Sequence, residues 1–156
     1  MIISVGFAKK VCYNAIKIYR RNVFMKIENI KPEGYVMKGV YTPAKKIDLG
    51  DSYLIFVSGV QAPKGEVNEV ITEDVAEQTK LIFQEINDIL KQAGATLDDV
   101  VKAVIYLKDI NDFEVVSPIR AEYFKNSMPV STMVEVGGFV RKGSKIEIEV
   151  TAIINK

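Results

Sequence analysis

Residues 145–154, Lys-Ile-Glu-Ile-Glu-Val-Thr-Ala-Ile-Ile, constrain the fold of this chain more than any other stretch. Ile146, Ile148, Val150, Ala152 and Ile154 fall on one side of an extended strand, and Lys145, Glu147, Glu149 and Thr151 on the other. One face therefore belongs in a core. The other sets two carboxylates among apolar neighbours, which turns it toward water, a partner or a ligand. Upstream, residues 128–136 (Met-Pro-Val-Ser-Thr-Met-Val-Glu-Val) read as a second short strand, joined to the last by residues 137–144 with Gly137, Gly138 and Gly143.

The rest of the chain supplies what must cover that core. Residues 27–41 are short apolar pieces broken by Pro32, Gly34 and Gly39, which predicts an irregular edge strand. After Asp51 and Ser52, residues 53–59 (Tyr-Leu-Ile-Phe-Val-Ser-Gly) read as a continuous apolar strand buried on both faces, followed by a loop over 61–70. The clearest helix runs over 73–93. Its apolar stripe includes Val75, Ile82, Phe83, Ile86, Ile89 and Leu90, with Thr72 as N-cap and Gly94 as terminator. Residues 100–107 form another strand. Asn111 with Glu114 has the look of a capping arrangement, but Pro118 interrupts it, so the second helix is placed at 118–125 with Ser117 as N-cap and Pro118 at its first position. The order ββαβαββ predicts an α+β sandwich, a mixed sheet with both helices on one face. A semi-apolar sheet face left without helices is an interface candidate, and in a cyclic oligomer it leaves clefts between subunits.

At 156 residues the chain fits one domain, with 48% apolar and 26% charged residues. Histidine is absent, which removes the commonest general base and metal ligand, and Cys12 is the only cysteine. No intrachain disulfide can form, a reducing, cytoplasmic compartment is expected, and no metal or cofactor is called for. Any catalysis falls to carboxylates, hydroxyls, Lys, Arg, backbone groups or water. Residues 1–24 carry Lys9, Lys10, Lys17, Arg20 and Arg21 and no acid, leaving 16 basic against 20 acidic residues beyond them. That segment is expected to be a basic, apolar N-terminal extension, with 25–156 as the folded domain. It reads either as a loosely held extension ahead of a functional start at Met25, or as a membrane-surface or organelle-address helix. It has no apolar run long enough to span a membrane. A net −4 from residue 25 onward argues against nucleic acid as a partner.

From about residue 40 to the end the sequence resembles the RidA/YjgF family. The resemblance rests on Ile47-Asp48-Leu49-Gly50 leading to Val57-Ser58-Gly59, on residues 93–102, on residues 104–113, and on Pro129-Val130-Ser131-Thr132-Met133-Val134-Glu135-Val136 followed by Ile146-Glu147-Ile148-Glu149. It implies a chorismate-mutase-like fold, a homotrimer, and small-molecule ligands bound in clefts at the subunit interfaces. The implied activity is hydrolytic deamination of small enamine and imine intermediates such as 2-iminobutanoate to 2-keto acids. In the family's pattern Pro-x-Arg-[Ser/Thr] an arginine clamps the substrate carboxylate and a last-strand glutamate orients the attacking water. Carried onto this chain, Glu147 is the catalytic candidate, with Ser58, Gly59, Ser131, Thr132 and Ser117 as substrate-binding candidates. The chain departs from the pattern where the arginine position is Ser131, where Met133 replaces the usual cysteine, and at Ala44 and Ser117. The alternative is a non-deaminating relative binding another small metabolite in the same clefts. Arg120, Arg141 and Lys142 are the cations on neighbouring segments that discriminate the two, because a cation in the cleft favours the deaminase.

Overall fold

A computed structural model describes residues 25–32, 40–64 and 69–156; the extension expected over 1–24 lies outside them, as do Gly34, Gly39 and Gly65. Among the described residues, six strands and two α-helices follow in the order β1 (Ile27–Ile30), β2 (Ala44–Asp48), β3 (Ser52–Gln61), α1 (Val75–Gln92), β4 (Val100–Leu107), α2 (Phe113–Tyr123), β5 (Val130–Glu135) and β6 (Ile146–Asn155). They build one sheet of order β1-β2-β3-β6-β4-β5, antiparallel throughout except for the parallel pair β4/β5 that α2 connects. The sheet is mixed and the class is α+β, as the pattern predicted.

The long alternating strand sits where its pattern requires. β6 lies between β3 and β4, and Ile146, Ile148, Val150 and Ala152 are buried under the helices. Beside them on the same face are Ile55 and Val57 of β3 and Ala103, Ile105 and Leu107 of β4. α1 answers with Ile82, Phe83, Ile86, Ile89 and Leu90, all at most 1% exposed. The Phe83 ring stacks on Tyr123 with centroids 4.5 Å apart and meets Phe124 edge-on at 5.1 Å, which joins the two helices.

Several local expectations are corrected. Asp74, not Thr72, caps α1: its Oδ1 accepts from the amides of Ala76 and Glu77, while Thr72 Oγ1 accepts from Asp74 itself. Gly94 closes the helix at φ +79, the left-handed position a glycine takes without strain. α2 begins five residues before Ser117 would have capped it. A 3-10 turn capped by Asp109 leads straight into it, and Pro118 lies within the helix. A proline there removes one helical hydrogen bond, and fully buried Val116 with Tyr123 anchors the helix on both sides of it. β2 is an additional strand, hidden in the sequence by Lys45 and Lys46. The Lys46 ammonium reaches over the Tyr53 ring and donates to Ala93 O at 2.8 Å, at the C-terminus of α1 where a cation is favoured.

β3 is not buried on both faces. Its Phe56 is 46% exposed, because the helices cover only one side of the sheet. The strand also continues past Gly59 to Gln61. Between Val57, opposite Val150, and Val60, opposite Ile148, two residues (Ser58 and Gly59) face the single position of Glu149, a β-bulge in mid-strand.

Candidate functional site

Two clusters emerge, one on each face of the sheet. The first surrounds Glu147 on the face without helices. Gln61 of β3 and Tyr106 of β4 are its cross-strand neighbours. A Cβ added to Gly59 would collide with the Glu147 carboxylate, so glycine at the bulge is what lets that group lie against the β3 backbone. The other carboxylate oxygen accepts from the Gln61 amide. Ser58, next to Gly59, donates its hydroxyl to Thr42 O at 2.8 Å, and its amide donates to Pro43 O at 2.8 Å. Its hydroxyl thus ties β3 to the segment before β2 and keeps only lone pairs for another partner.

A groove of about 490 Å³ opens on this face, bordered by Tyr41, Phe56, Ser58, Lys102 and Glu149. A smaller cleft of about 110 Å³ lies where Ser58, Gly59 and Gln61 approach Arg141 and Glu85. Burial holds the Glu85 carboxyl above the usual carboxylate range, with the Arg141 charge opposing it. Burial, reinforced by the carboxylates of Glu149 and Glu147, raises the Tyr106 phenol.

The second cluster lies at the β5 edge. Ser131 pairs with Ala103, whose side chain is buried on the helix face, so Ser131 also points to that side. There the Arg120 guanidinium, from α2, donates to Ser131 Oγ at 3.5 Å and to Ser117 Oγ at 3.4 Å. Both contacts are long, and among the described residues no carboxylate forms an ion pair with Arg120. Thr132, one residue on, pairs with Val104 and so faces the same side as Glu149.

The candidates from sequence therefore divide. Glu147, Ser58 and Gly59 meet at the bulge; Ser131 and Ser117 meet around Arg120 on the opposite face; Thr132 stands apart on β5. Gln61, Tyr41 and Glu85 escaped the sequence reading. The signal for Gln61 was the Ser-Gly pair inside an apolar strand, which marks a bulge and shifts every later side chain by one face.

Comparisons with known proteins agree with this architecture. The family described as Endoribonuclease L-PSP matches residues 38–154. The chain is 40% identical over 118 residues to a RutC family protein of Pyrococcus abyssi, covering 76% of this chain and 87% of the relative. It is 36% identical over 115 residues to the 2-iminobutanoate/2-iminopropanoate deaminase of Homo sapiens, covering 74% and 80%. Among solved structures, a YjgF/YER057c/UK114 family protein of Mycobacterium tuberculosis superposes with a TM-score of 0.62 at 33% identity, over 73% of this chain and 86% of that one. E. coli TdcF with bound serine superposes with a TM-score of 0.66 at 25% identity, over 82% and 99%. With its six-stranded sheet, its two helices on one face and a family match over most of its length, this chain belongs to the RidA/YjgF family.

Proposed function

We propose that this protein is a homotrimer whose inter-subunit clefts hydrolyse small 2-imino acids, with Glu147 of one subunit and Arg120 of the next acting on the same substrate. The observation that carries this reading is the Arg120 guanidinium, resting by two long hydrogen bonds on Ser131 and Ser117. The family's carboxylate-binding arginine is replaced here by Ser131, and Arg120 brings a cation to the same place from α2. A substrate carboxylate exchanges those long hydroxyl contacts for shorter, charge-assisted ones. The names of the relatives support a carboxylate-bearing substrate, one being an iminobutanoate deaminase and another having bound serine.

The opposite facing of the two clusters supports a shared cleft. Glu147 lies on the face without helices and Arg120 on the other, so one chain does not present both to one small molecule. In the reaction, Glu147 takes a proton from water as its oxygen attacks the imine carbon, giving a carbinolamine. Glu147 returns that proton to nitrogen, then takes the proton of the new hydroxyl and passes it to nitrogen as well, so that C=O forms, the C–N bond breaks, ammonia leaves and the 2-keto acid remains. An enamine first takes a proton on carbon to become the imine.

The test is turnover of 2-iminobutanoate generated in situ. Arg120→Ala is expected to raise KM by about 100-fold or more, from charge-assisted hydrogen bonds of about 1.5–3 kcal/mol each. Glu147→Gln is expected to abolish turnover. At substrate far below the KM of Arg120→Ala, refolding the two variants together at equal amounts is expected to restore about a quarter of wild-type activity, because about one cleft in four then draws an intact residue from each chain. No recovery in verified mixed trimers overturns the shared cleft. Wild-type binding of 2-ketobutanoate without turnover of the imine favours the non-deaminating alternative.

A further inference from the structure

Glu147 is held by a polar network that begins on the other side of the molecule. Gln78 of α1 is fully buried, and both ends of its amide are hydrogen-bonded. Nε2 donates to Thr72 O at 2.8 Å and to Gly143 O at 2.9 Å, while Oε1 accepts from Lys145 N at 2.9 Å. These bonds lock the turn that precedes β6, in which Gly143 takes φ +81 and Ser144 N donates to Arg141 O at 3.2 Å. Ser144, 6% exposed, donates its hydroxyl to Gln61 Oε1 at 3.0 Å. Arg141, from the same turn, donates to the backbone carbonyls of Gln61, at 3.1 Å, and of Ala62. Gln61 is thus fixed at main chain and side chain alike.

The direction of that last amide matters. A glutamine side chain has one accepting end and one donating end. The Ser144 hydroxyl occupies the accepting end, so the donating end is turned to Glu147. Reversed, the amide oxygen would face a carboxylate oxygen and repel it. Gly59 meanwhile leaves open the space into which the other carboxylate oxygen fits. A hydrogen bond therefore holds one oxygen of Glu147 and an open seat admits the other, both at the bulged end of β3.

We propose that Gln61, oriented by Ser144, is the positioning residue of the Glu147 carboxylate, setting the angle at which that group meets the attacking water. The assignment rests on the reading of Glu147 as the water-orienting group. A general base displaced by a fraction of an ångström still binds substrate but loses rate. The network thus acts on kcat and leaves KM to the cation of the neighbouring subunit.

Gln61→Met keeps the length of the side chain and removes its amide. It is expected to lower kcat about tenfold, with KM within about twofold and the melting temperature within about 2 °C of wild type. Ser144→Ala is expected to lower kcat about threefold, and the double variant no further than Gln61→Met alone, because Ser144 works through Gln61. Additive losses, or an unchanged kcat in Gln61→Met while Glu147→Gln is inactive, overturn the proposal. Full activity in Glu147→Gln removes the underlying reading instead. If the wild type does not turn over the imine, crystal structures decide the positioning by themselves. One ordered Glu147 rotamer in the wild type and several in Gln61→Met uphold it, and the same single rotamer in both overturns it.

Discussion

On one side of β6, Ile146, Ile148, Val150 and Ala152 are between 0% and 3% exposed beneath the helices. On the other side, shifted by a single residue each time, Glu147, Glu149 and Thr151 remain part-exposed, beside Phe56 at 46% and Val134 at 40%. The same backbone thus builds a finished surface and an unfinished one. The helix-backed face closes within one chain, since its buried residues on β3, β4 and β6 form one core with those of α1 and α2. The face without helices mixes apolar and charged groups, the composition of a contact with something outside the chain. The buried core is concentrated on the first face, and the Glu147 cluster lies on the second.

The largest test of that contrast is in the core. Phe83→Ala removes a fully buried ring that stacks on Tyr123 and meets Phe124, and is expected to cost about 3–5 kcal/mol in denaturant unfolding. A loss below about 1 kcal/mol there breaks the comparison outright. Phe56→Asp makes a more drastic chemical change on the opposite face. It is expected to leave the circular dichroism of the chain intact while lowering the light-scattering mass from about three chains to one chain of 17.4 kDa. If Phe56→Asp unfolds the protein instead, the two faces do not differ in kind.

Two smaller effects sharpen the picture. Gly59→Ala puts a methyl where the Glu147 carboxylate lies and is expected to lower kcat by about tenfold, or about 1.4 kcal/mol, with little change in melting temperature. Retained kcat would mean that the carboxylate does not need that seat. Glu85→Gln is the subtlest. Burial raises the Glu85 carboxyl, so the folded state prefers its protonated form, and the stability this contributes is lost as pH rises through the folded value. The neutral amide is therefore expected to raise the melting temperature by a degree or two at pH 7, and by nothing below about pH 4, where the carboxyl is protonated in both states. A lower melting temperature at pH 7 would show that the attraction to Arg141 outweighs burial.

What was legible in the sequence follows the same division. The period of β6 and the stripe of α1 announce the helix-backed face, because burial against one's own chain writes itself as regular spacing. β2 was not legible: Lys45 and Lys46 look like loop residues until the C-terminus of α1 and the Tyr53 ring are found beneath one of them. The start of α2 was missed for the opposite reason, since Pro118 is a strong local signal overruled by the burial of Val116. At the site, Glu147 stood out as a carboxylate in a strand. Gln61 did not, because its place depends on which face a bulge gives it, and Arg120 was one of three neighbouring cations until the fold brought it to Ser131 and Ser117.

That bulge has a consequence for how the chain tolerates change. Along β3 the side chains alternate like odd and even numbers, and the doubled position at Ser58 and Gly59 exchanges the two sets. Before it, Ile55 and Val57 point to the helices; after it, Val60 and Ala62 do, and Gln61 is released to the side of Glu147. Flattening the bulge without losing a residue would carry a glutamine amide into the core and a valine out to the carboxylate, whereas deleting one of the doubled residues would restore simple alternation with Val60 and Gln61 on their present faces. A deletion of both would instead put Val60 outward and Gln61 inward. One residue of this strand thus goes uncounted in the pairing, and the facing of Gln61 depends on its staying so.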